Sequence, residues 1–366
     1  MLKKYLIVLF CVSSSLFSQT KTTFSSIREI FKQPEDSIDL GNVCLLLAKD
    51  AYPDLNIDRF NYAIDYMVDR IKYLNKGITD PIARVGLLNA YFFLPGWWND
   101  SITFTYDLDD LEARKTTNQF LNGYIATKKG SCITMAMLYL VIADRLGWPI
   151  KPVRSTQHFF CRYIQEGLKY NNIEATCGGG YISDSQYVHQ VGIPQKAIDN
   201  GVYLRTLTKN EYIASILQVN SGYFYRDKHD LENAARYARL SIDYDSTFSM
   251  AYWNLGEFYR EKSIQLDSLR KIEIKDAHSM YEFEMSGPQG NRVMPNTIQG
   301  QNRYSELEAD LMGIRDKYDA KIEQLITTSR GLKSIAKELG IVRKFPDEFF
   351  RKQGKAIEEF KRTGKY

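Results

Sequence analysis

Residues 129–147, KGSCITMAMLYLVIADRLG, decide the fold. Gly130 and a serine precede Cys132, and nearly every position from Cys132 to Leu146 is apolar. A helix with no polar face belongs in the middle of a domain, because each of its sides needs a partner that excludes water. Gly147 favours a helix end at that point. We therefore predict a central buried helix with a cysteine at its start.

Cys132 has a position that suits a nucleophile. The unpaired backbone N–H groups at a helix start, together with the positive end of the helix dipole, stabilise a thiolate. Gly130 is expected to leave open space beside the sulfur. The alternative interpretation is an inert core cysteine, which is common on an apolar helix.

Two strand-like segments follow this helix, from Lys151 to Tyr163 and from Lys169 to Thr176. Residues 165–167, Gln-Glu-Gly, lie between them and favour a turn. The pair therefore predicts a small antiparallel hairpin that turns at Glu166.

His158 and Glu174 lie equally far from that turn. Residues of equal parity share a face of a strand, so this register places the two side chains opposite each other, about 5 Å apart. A carboxylate can hold one ring nitrogen of a histidine while the other ring nitrogen faces a thiol. We predict that Cys132, His158 and Glu174 form a catalytic site. Considered singly, His158 could be a satisfied core histidine and Glu174 a surface carboxylate.

The start of the chain predicts export. A basic start, an apolar run from Tyr5 to Val12 and a run of small polar residues are typical of a secretory signal peptide, which we assign to residues 1–18. The alternative is a short anchoring helix, although the run is too short to cross a bilayer of about 30 Å. Because no other segment is apolar enough to span, we expect an exported mature chain, periplasmic or secreted, with no transmembrane segment.

Four cysteines follow the predicted leader, and an even number in an exported protein permits disulfides. The predicted hairpin register separates Cys161 from Cys177 by about 20 Å, so we expect no bond between them. Cys44 fits a helix core. The chain has no C-x-x-C motif and no histidine pair at ligand spacing, so we predict no metal site and no cofactor.

The composition sets the broad class. Of 366 residues, 44% are hydrophobic and 25% are charged, with 23 Gly and 10 Pro. These proportions exclude a collagen-like, a wholly disordered and a multi-span membrane chain. The formal net charge is only +4, which gives no reason to expect a nucleic-acid partner.

Apolar residues at helical spacing predict several helices ahead of the central one. Residues 20–36 are polar and are expected to be a loose lead-in. The predicted helices run from Ser37 to Tyr52, from Asn56 to Leu74, from Asp80 to Leu94 and from Leu108 to Tyr124.

An internal repeat follows residue 208. Gly222 and Gly256 open similar segments 34 residues apart, which is the tetratricopeptide period. We assign residues 208–285 to tetratricopeptide-like helices, with a first unit at 215–248 and a second that begins at Ser249 and has a weak second helix. Such repeats could present a concave surface to a protein partner.

The C-terminal part predicts a linker and a basic tail. Residues 286–303 are rich in Gly, Pro, Asn and Gln and are assigned to a linker. Residues 304–366 are assigned to a helical tail, with one helix from Pro346 to Arg362. From Arg330 to the end there are 11 Lys/Arg and 5 Asp/Glu, which suits an anionic surface or a solvated helical face.

These motifs resemble the transglutaminase-like superfamily. The segments that carry the resemblance are KGSCIT at 129–134 with LYL at 138–140 and ADRLG at 143–147, QHFFCRY at 157–163, NIEAT at 172–176 and LAKDAYPDL at 47–55. It is similar to a bacterial branch that has a helical N-terminal half and tetratricopeptide-like helices behind the core. The resemblance implies an α+β fold, mostly helical, with a papain/transglutaminase-like core at residues 37–200 that contains a small antiparallel sheet.

The resemblance also implies roles. Cys132 would be the nucleophile, His158 the general base and acid, and Glu174 the orienting acid, where the family usually has Asp. The expected function is an exported thiol enzyme for acyl transfer or hydrolysis on amide or peptide substrates. The backbone N–H of Cys132 and either Asn118 or Asn122 are candidate oxyanion donors. The alternative is a non-catalytic protein-binding module built on the same core and its helical repeats.

Overall fold

The computed structural model describes residues 23–286 and 292–343. The predicted leader at 1–18 and the predicted helix from Pro346 lie outside these residues. The helices are α1 (23–30), α2 (Leu40–Ala48), α3 (Ile57–Leu74), α4 (Pro81–Phe93), α5 (Leu121–Thr127), α6 (Cys132–Leu146), α7 (Asp184–Val191), α8 (Gln195–Asp199), α9 (Lys209–Arg226), α10 (Leu231–Tyr244), α11 (Ser249–Ser286) and α12 (Ile298–Leu339). The strands are β1 (Thr105–Tyr106), β2 (Lys129–Gly130), β3 (Ile150–Ser155), β4 (His158–Tyr163) and β5 (Asn172–Ile173). The fold is α+β and mostly helical, as predicted.

Helix α6 is the predicted central helix. All ten residues from 134 to 143 are buried. The Ser131 hydroxyl accepts a hydrogen bond from the backbone N–H of Ile133, and the Thr134 hydroxyl accepts one from the backbone N–H of Ser131. This capping box fixes the start of the helix, and Gly147 ends it in the left-handed conformation.

Gly130 does not open space beside the sulfur, so that prediction is wrong. A Cβ at this position would overlap the ring of Tyr124 and the hydroxyl of Thr134. The glycine instead allows α5 to pack closely against the start of α6. This contact places the strand β2 beside β1, where Tyr106 pairs with Gly130 in a short parallel ladder.

The second sheet is antiparallel, with the order β3-β4-β5. The predicted strand from Lys151 to Tyr163 is in fact a hairpin of two strands, because the chain reverses at residues 156–157. Gln157 there takes a left-handed φ of 48°. In the second hairpin Cys161 pairs with Ile173, so the turn is centred on Gly167, and the predicted turn at Glu166 is wrong by one residue.

Two predictions about the N-terminal half are wrong. Residues 23–30 form a helix instead of a loose lead-in, and Phe31 just after it stacks on Tyr244 with ring centroids 3.7 Å apart. Of the predicted helix from Leu108 to Tyr124, only the last four residues are α-helical, as the start of α5. Before them the carboxylates of Asp107 and Asp110 accept hydrogen bonds from the Asn118 amide at 2.8 and 2.7 Å. Such side-chain bonds compete with helix formation.

The helical unit, α9 to α12, packs behind the core. Helix α11 begins at Ser249, where a second repeat was predicted, but it continues unbroken to Ser286. It pairs with α12 in antiparallel fashion, because the Ser329 hydroxyl donates to Gly256 near one end and Arg303 contacts Glu284 near the other. Residues 298–303, which the sequence assigned to a linker, therefore belong to a helix.

A buried ion pair joins the sheet to the helical unit. Arg154 of β3 contacts Asp245, which follows α10, at 2.6 Å, and both side chains are almost fully buried. The Arg154 guanidinium also donates to the Ser215 hydroxyl of α9 at 2.9 Å. Within residues 23–286 and 292–343, no helix combines the length and the apolar character needed to cross a bilayer.

Candidate active site

Cys132 is the first residue of α6, and its side chain is only partly buried. Its Sγ lies 4.0 Å from the carbonyl oxygen of Gln157, in the turn of the β3-β4 hairpin. In the first helical turn the N–H of Ile133 is bonded to the capping hydroxyl of Ser131, and the backbone N–H of Cys132 lies next to the sulfur. The fold thus brings a helix start and a strand turn together at the thiol.

His158 follows that turn as the first residue of β4. Its Nε2 lies 2.6 Å from Oε2 of Glu174, and its side chain also forms a hydrogen bond with Cys132. Because the ring is buried, these contacts fix its orientation. The structure therefore brings the three sequence-predicted side chains together in the order sulfur, imidazole and carboxylate.

Glu174 is held from several sides. Its Oε1 accepts hydrogen bonds from the backbone N–H of Thr176 at 3.1 Å and from the Thr176 hydroxyl at 2.7 Å. Its Oε2 accepts one from the hydroxyl of Tyr187 in addition to the contact with His158. The backbone of Glu174 bonds to Gly179 and Gly180, which closes the loop around the carboxylate. The carboxylate thus has a full set of donors although it is buried.

Glu174 keeps the buried imidazole charged. Burial alone lowers the pKa of His158, but the charge of Glu174 and the hydrogen bonds with Cys132 and Glu174 outweigh it and raise this pKa to about 10. Burial conversely raises the pKa of Glu174, but the His158 charge and the hydrogen bonds from His158, Tyr187 and Thr176 bring it below its usual range. The pair is therefore an imidazolium and a carboxylate at neutral pH.

The contact between His158 and Glu174 arises from a different register than the one predicted. Glu174 lies one residue beyond the β4-β5 ladder, whose last pair is Cys161 with Ile173. Its side chain therefore reaches His158 diagonally across the sheet face and not from the directly opposed position. Diagonal neighbours on one face remain within reach of long side chains.

The site contains residues that the sequence reasoning missed. Tyr187 lies on α7, and only the tertiary fold brings its hydroxyl to Glu174. Thr176 had a local signal, since a hydroxyl residue two positions after a carboxylate can bond to it. Asn118, predicted as an oxyanion donor, has its amide nitrogen engaged by Asp107 and Asp110. Asn122 is buried on α5, and its role stays a prediction.

The four cysteines within the described residues are free thiols. Cys44 and Cys161 are buried, and burial raises the pKa of each thiol. Cys177 is partly buried, and burial together with the nearby charge of Glu174 raises its pKa to about 12. These three thiols are therefore poor nucleophiles at neutral pH.

Known proteins resemble part of this chain. Residues 59–217 match the family model described as the transglutaminase-like superfamily, which overlaps the predicted core at 37–200. The chain is 24% identical over 135 residues to UPF0162 proteins from the Temecula1 / ATCC 700964 and 9a5c strains of Xylella fastidiosa, a match that covers 37% of this chain and 45% of each relative. The chain thus spans less than half of these relatives.

A solved structure also resembles the chain. It is a crystal structure of menin that reveals the binding site for the Mixed Lineage Leukemia (MLL) protein. The likeness covers 87% of this chain and 98% of that one, with a TM-score of 0.39 and 10% sequence identity. A likeness this distant says nothing further about the chain.

Proposed function

We propose that this chain, which carries a domain of the transglutaminase-like superfamily at residues 59–217, is a thiol enzyme that transfers or hydrolyses the acyl group of an amide in a peptide or protein. The observation that supports this most is the hydrogen-bonded line from Cys132 through His158 to Glu174. A nucleophile, a base within reach of it and a third group that orients the base are the parts that nucleophilic catalysis needs.

The first half of the reaction forms a thioester. The ring nitrogen of His158 that does not face Glu174, namely Nδ1, carries a proton beside the sulfur, and Cys132 reacts as the thiolate of this ion pair. The thiolate then attacks the amide carbonyl carbon, a C–S bond forms, and the oxygen becomes an oxyanion. The backbone N–H of Cys132, at the start of α6, can stabilise that negative charge. As the intermediate collapses, the C–N bond breaks and the His158 proton passes to the leaving amine.

The second half releases the acyl group. Water or an amine loses a proton to His158 and attacks the thioester carbonyl, and the C–S bond breaks. Cys132 is then again a thiolate beside the protonated His158. Glu174 remains ionised throughout and stabilises the imidazolium that donates its proton in the first half and forms again in the second. Hydrolysis and transfer differ only in the nucleophile that resolves the thioester.

Labelling with a thiol-directed acyl probe tests this function. We expect rapid labelling of the wild type at Cys132 and none at that site in Cys132→Ala, with circular dichroism unchanged. Cys177→Ala is the matched control, because Cys177 is the other partly buried thiol and its raised pKa makes it unreactive. Equal labelling of Cys132→Ala and the wild type would contradict the assignment.

A second candidate function is protein binding through the helical unit. Three apolar side chains near the end of the α11-α12 hairpin favour it, since Met280 is 59% exposed, Phe283 76% and Ile298 79%. Exposed apolar groups that cluster often mark interaction surfaces. This reading expects Cys132 to react with the acyl probe no faster than glutathione does, a rate comparison that separates the two functions.

We also propose export through residues 1–18. Expression of the complete chain in a bacterium with a periplasm should then yield a product that lacks these residues and fractionates outside the cytoplasm. Mass spectrometry of the purified protein measures the new N-terminus. An intact leader on a cytoplasmic product would contradict export.

A further inference from the structure

A cavity of about 330 Å³ lies beside His158, between the sheet and the helical unit. The hairpin that carries the site supplies Ser155, His158 and Phe159 to one wall. The opposite wall comes from the helical unit, with Gln218 and Val219 on α9 and Met250 and Asn254 on α11. Ile133, which follows Cys132, and Gln157, whose carbonyl oxygen lies 4.0 Å from the Cys132 sulfur, also line the cavity, so it lies next to the thiol.

Three polar atoms on lining side chains have no hydrogen-bond partner among residues 23–286 and 292–343. They are Oε1 of Gln119, Oγ of Ser155 and Nε2 of Gln218. Gln119 and Ser155 are only 2% and 1% exposed, so water does not satisfy them freely. A buried polar atom without a partner has lost its hydration without compensation, which is unfavourable. These atoms therefore form a set that a bound molecule can satisfy.

The set matches the polar groups of a peptide. Gln119 offers an acceptor, because its amide nitrogen already donates to the carbonyl of Ala113 at 2.7 Å. Gln218 offers a donor, because its Oε1 already accepts from the Asn254 amide at 2.9 Å. A backbone N–H needs an acceptor and a backbone C=O needs a donor, and the Ser155 hydroxyl can serve either.

The cavity also favours an uncharged, apolar side chain. Its lining includes the apolar residues Ile133, Phe159, Val219, Phe248 and Met250. Arg154 and His158 line it too, but their charges are matched by Asp245 and Glu174, and the Arg154 guanidinium covers the Phe248 ring. Glu112 and Arg226 are exposed, so their charges remain in water. A charged side chain would lose its hydration here without gaining a partner.

We propose that this cavity is the acyl-side subsite of the enzyme and that it binds a peptide segment of one or two residues with an apolar side chain, next to the carbonyl that Cys132 attacks. The inference rests on the proposed function. The volume lies at the lower end of the range of about 300–1,000 Å³ that ligand sites occupy, which limits the segment to that length. Helices α9 and α11 then determine substrate specificity.

Two peptidyl acyloxymethyl ketones test the subsite. The Cys132 thiolate displaces a carboxylate from such a ketone and remains as a thioether. We expect acetyl-Phe-Phe to label the wild type at least tenfold faster than acetyl-Asp-Asp, each rate being divided by that of iodoacetamide. Met250→Asp should abolish the preference. This change is compatible with folding, because Met250 lies in the first turn of α11, where a carboxylate is favourable.

Met280→Asp is the matched control, since Met280 lies on the same helix, is exposed and does not line the cavity. It should keep the full preference. No preference in the wild type, or an equal preference in Met250→Asp, would overturn the subsite. Either result would leave the thiol chemistry intact if Cys132 still reacts with the ketones.

A binding experiment without chemistry completes the test. Acetyl-Phe-Phe-amide should broaden in ligand-observed NMR spectra with Cys132→Ala and remain sharp when Met250→Asp is added. Binding by Cys132→Ala together with an unreactive Cys132 in the wild type would support the subsite and reject the proposed catalysis. Absence of broadening with Cys132→Ala would overturn the subsite whatever the reactivity of the thiol.

Discussion

At the scale of single residues, the unusual feature is a buried histidine that stays charged. The raised pKa of His158, about 10, depends on the carboxylate of Glu174 at 2.6 Å. The site thus holds a proton donor beside the sulfur, ready for the leaving group.

The charged pair makes stability depend on pH. A histidine whose pKa is raised in the folded state contributes stability that is complete below its unfolded pKa of about 6.5 and is lost as the pH rises through the folded value, about 10. We expect the free energy of unfolding to fall between pH 7 and pH 9.5, and to fall less in the double variant His158→Gln/Glu174→Gln. Urea denaturation at both pH values measures this. An equally steep fall in the double variant would rule out the pair as the cause.

Tyr187 is expected to position Glu174. Tyr187→Phe removes one hydrogen bond to the carboxylate but keeps the ring that stacks on Phe160, with centroids 4.3 Å apart. We expect about 1.5–3 kcal/mol of lost stability, because a bond to a charged group is removed, and slower probe labelling with a changed pH profile. Tyr163→Phe is the control, since Tyr163 is also buried on this sheet and is not bonded to Glu174. Equal effects of both variants would argue for a purely structural role.

At the scale of elements, the loop after β5 sets the position of the carboxylate. Gly179 has a φ of 78°, and a Cβ there would overlap the Asn89 amide, which donates to the Gly179 carbonyl at 3.0 Å. Gly167 has a similar φ of 75° with nothing within 4 Å. We expect Gly167→Ala to cost about 1 kcal/mol from backbone strain alone and Gly179→Ala at least about 2 kcal/mol. Chemical denaturation measures both, and equal costs would show that the Asn89 contact is unimportant.

The elements also show which parts of the fold a sequence can predict. Helix α6 was predictable because its apolar run, its capping serine and its terminal glycine are all local signals. The hairpin turn at Gln157 was not, since this residue adopts a positive φ without Gly, Asn or Asp to signal it. The loop before α5 was predicted as a helix because its apolar residues have helical spacing. That spacing does not show that the carboxylates of Asp107 and Asp110 bond to the Asn118 amide and stabilise a loop.

The candidate site was predictable for a similar reason. His158 and Glu174 lie near a single turn, whose predicted centre was wrong by one residue. This error changes a directly opposed pair into a diagonal one, but the two side chains remain in contact. Tyr187, Gln119 and Ser155 were not predicted, because their roles depend on packing between distant segments.

At the scale of the whole molecule, the Arg154–Asp245 pair links the sheet to the helical unit. Arg154→Met leaves Asp245 buried and charged, which we expect to cost about 3 kcal/mol, at the low end of the range because Arg205 also lies 3.6 Å from Asp245. Arg154→Met/Asp245→Leu should recover much of this loss, because no unpaired charge remains. A double-mutant cycle measures the coupling, and a double variant that is no more stable than Arg154→Met would contradict this account.

Helix α6 has its reactive atom at one end, while its middle is enclosed on every side. Such a helix cannot shift without disturbing the surrounding side chains. The alkylation rate of Cys132 should therefore report on the packing of the interior around α6. A mutation or solvent that weakens this packing anywhere along the helix would change that rate before the chain unfolds.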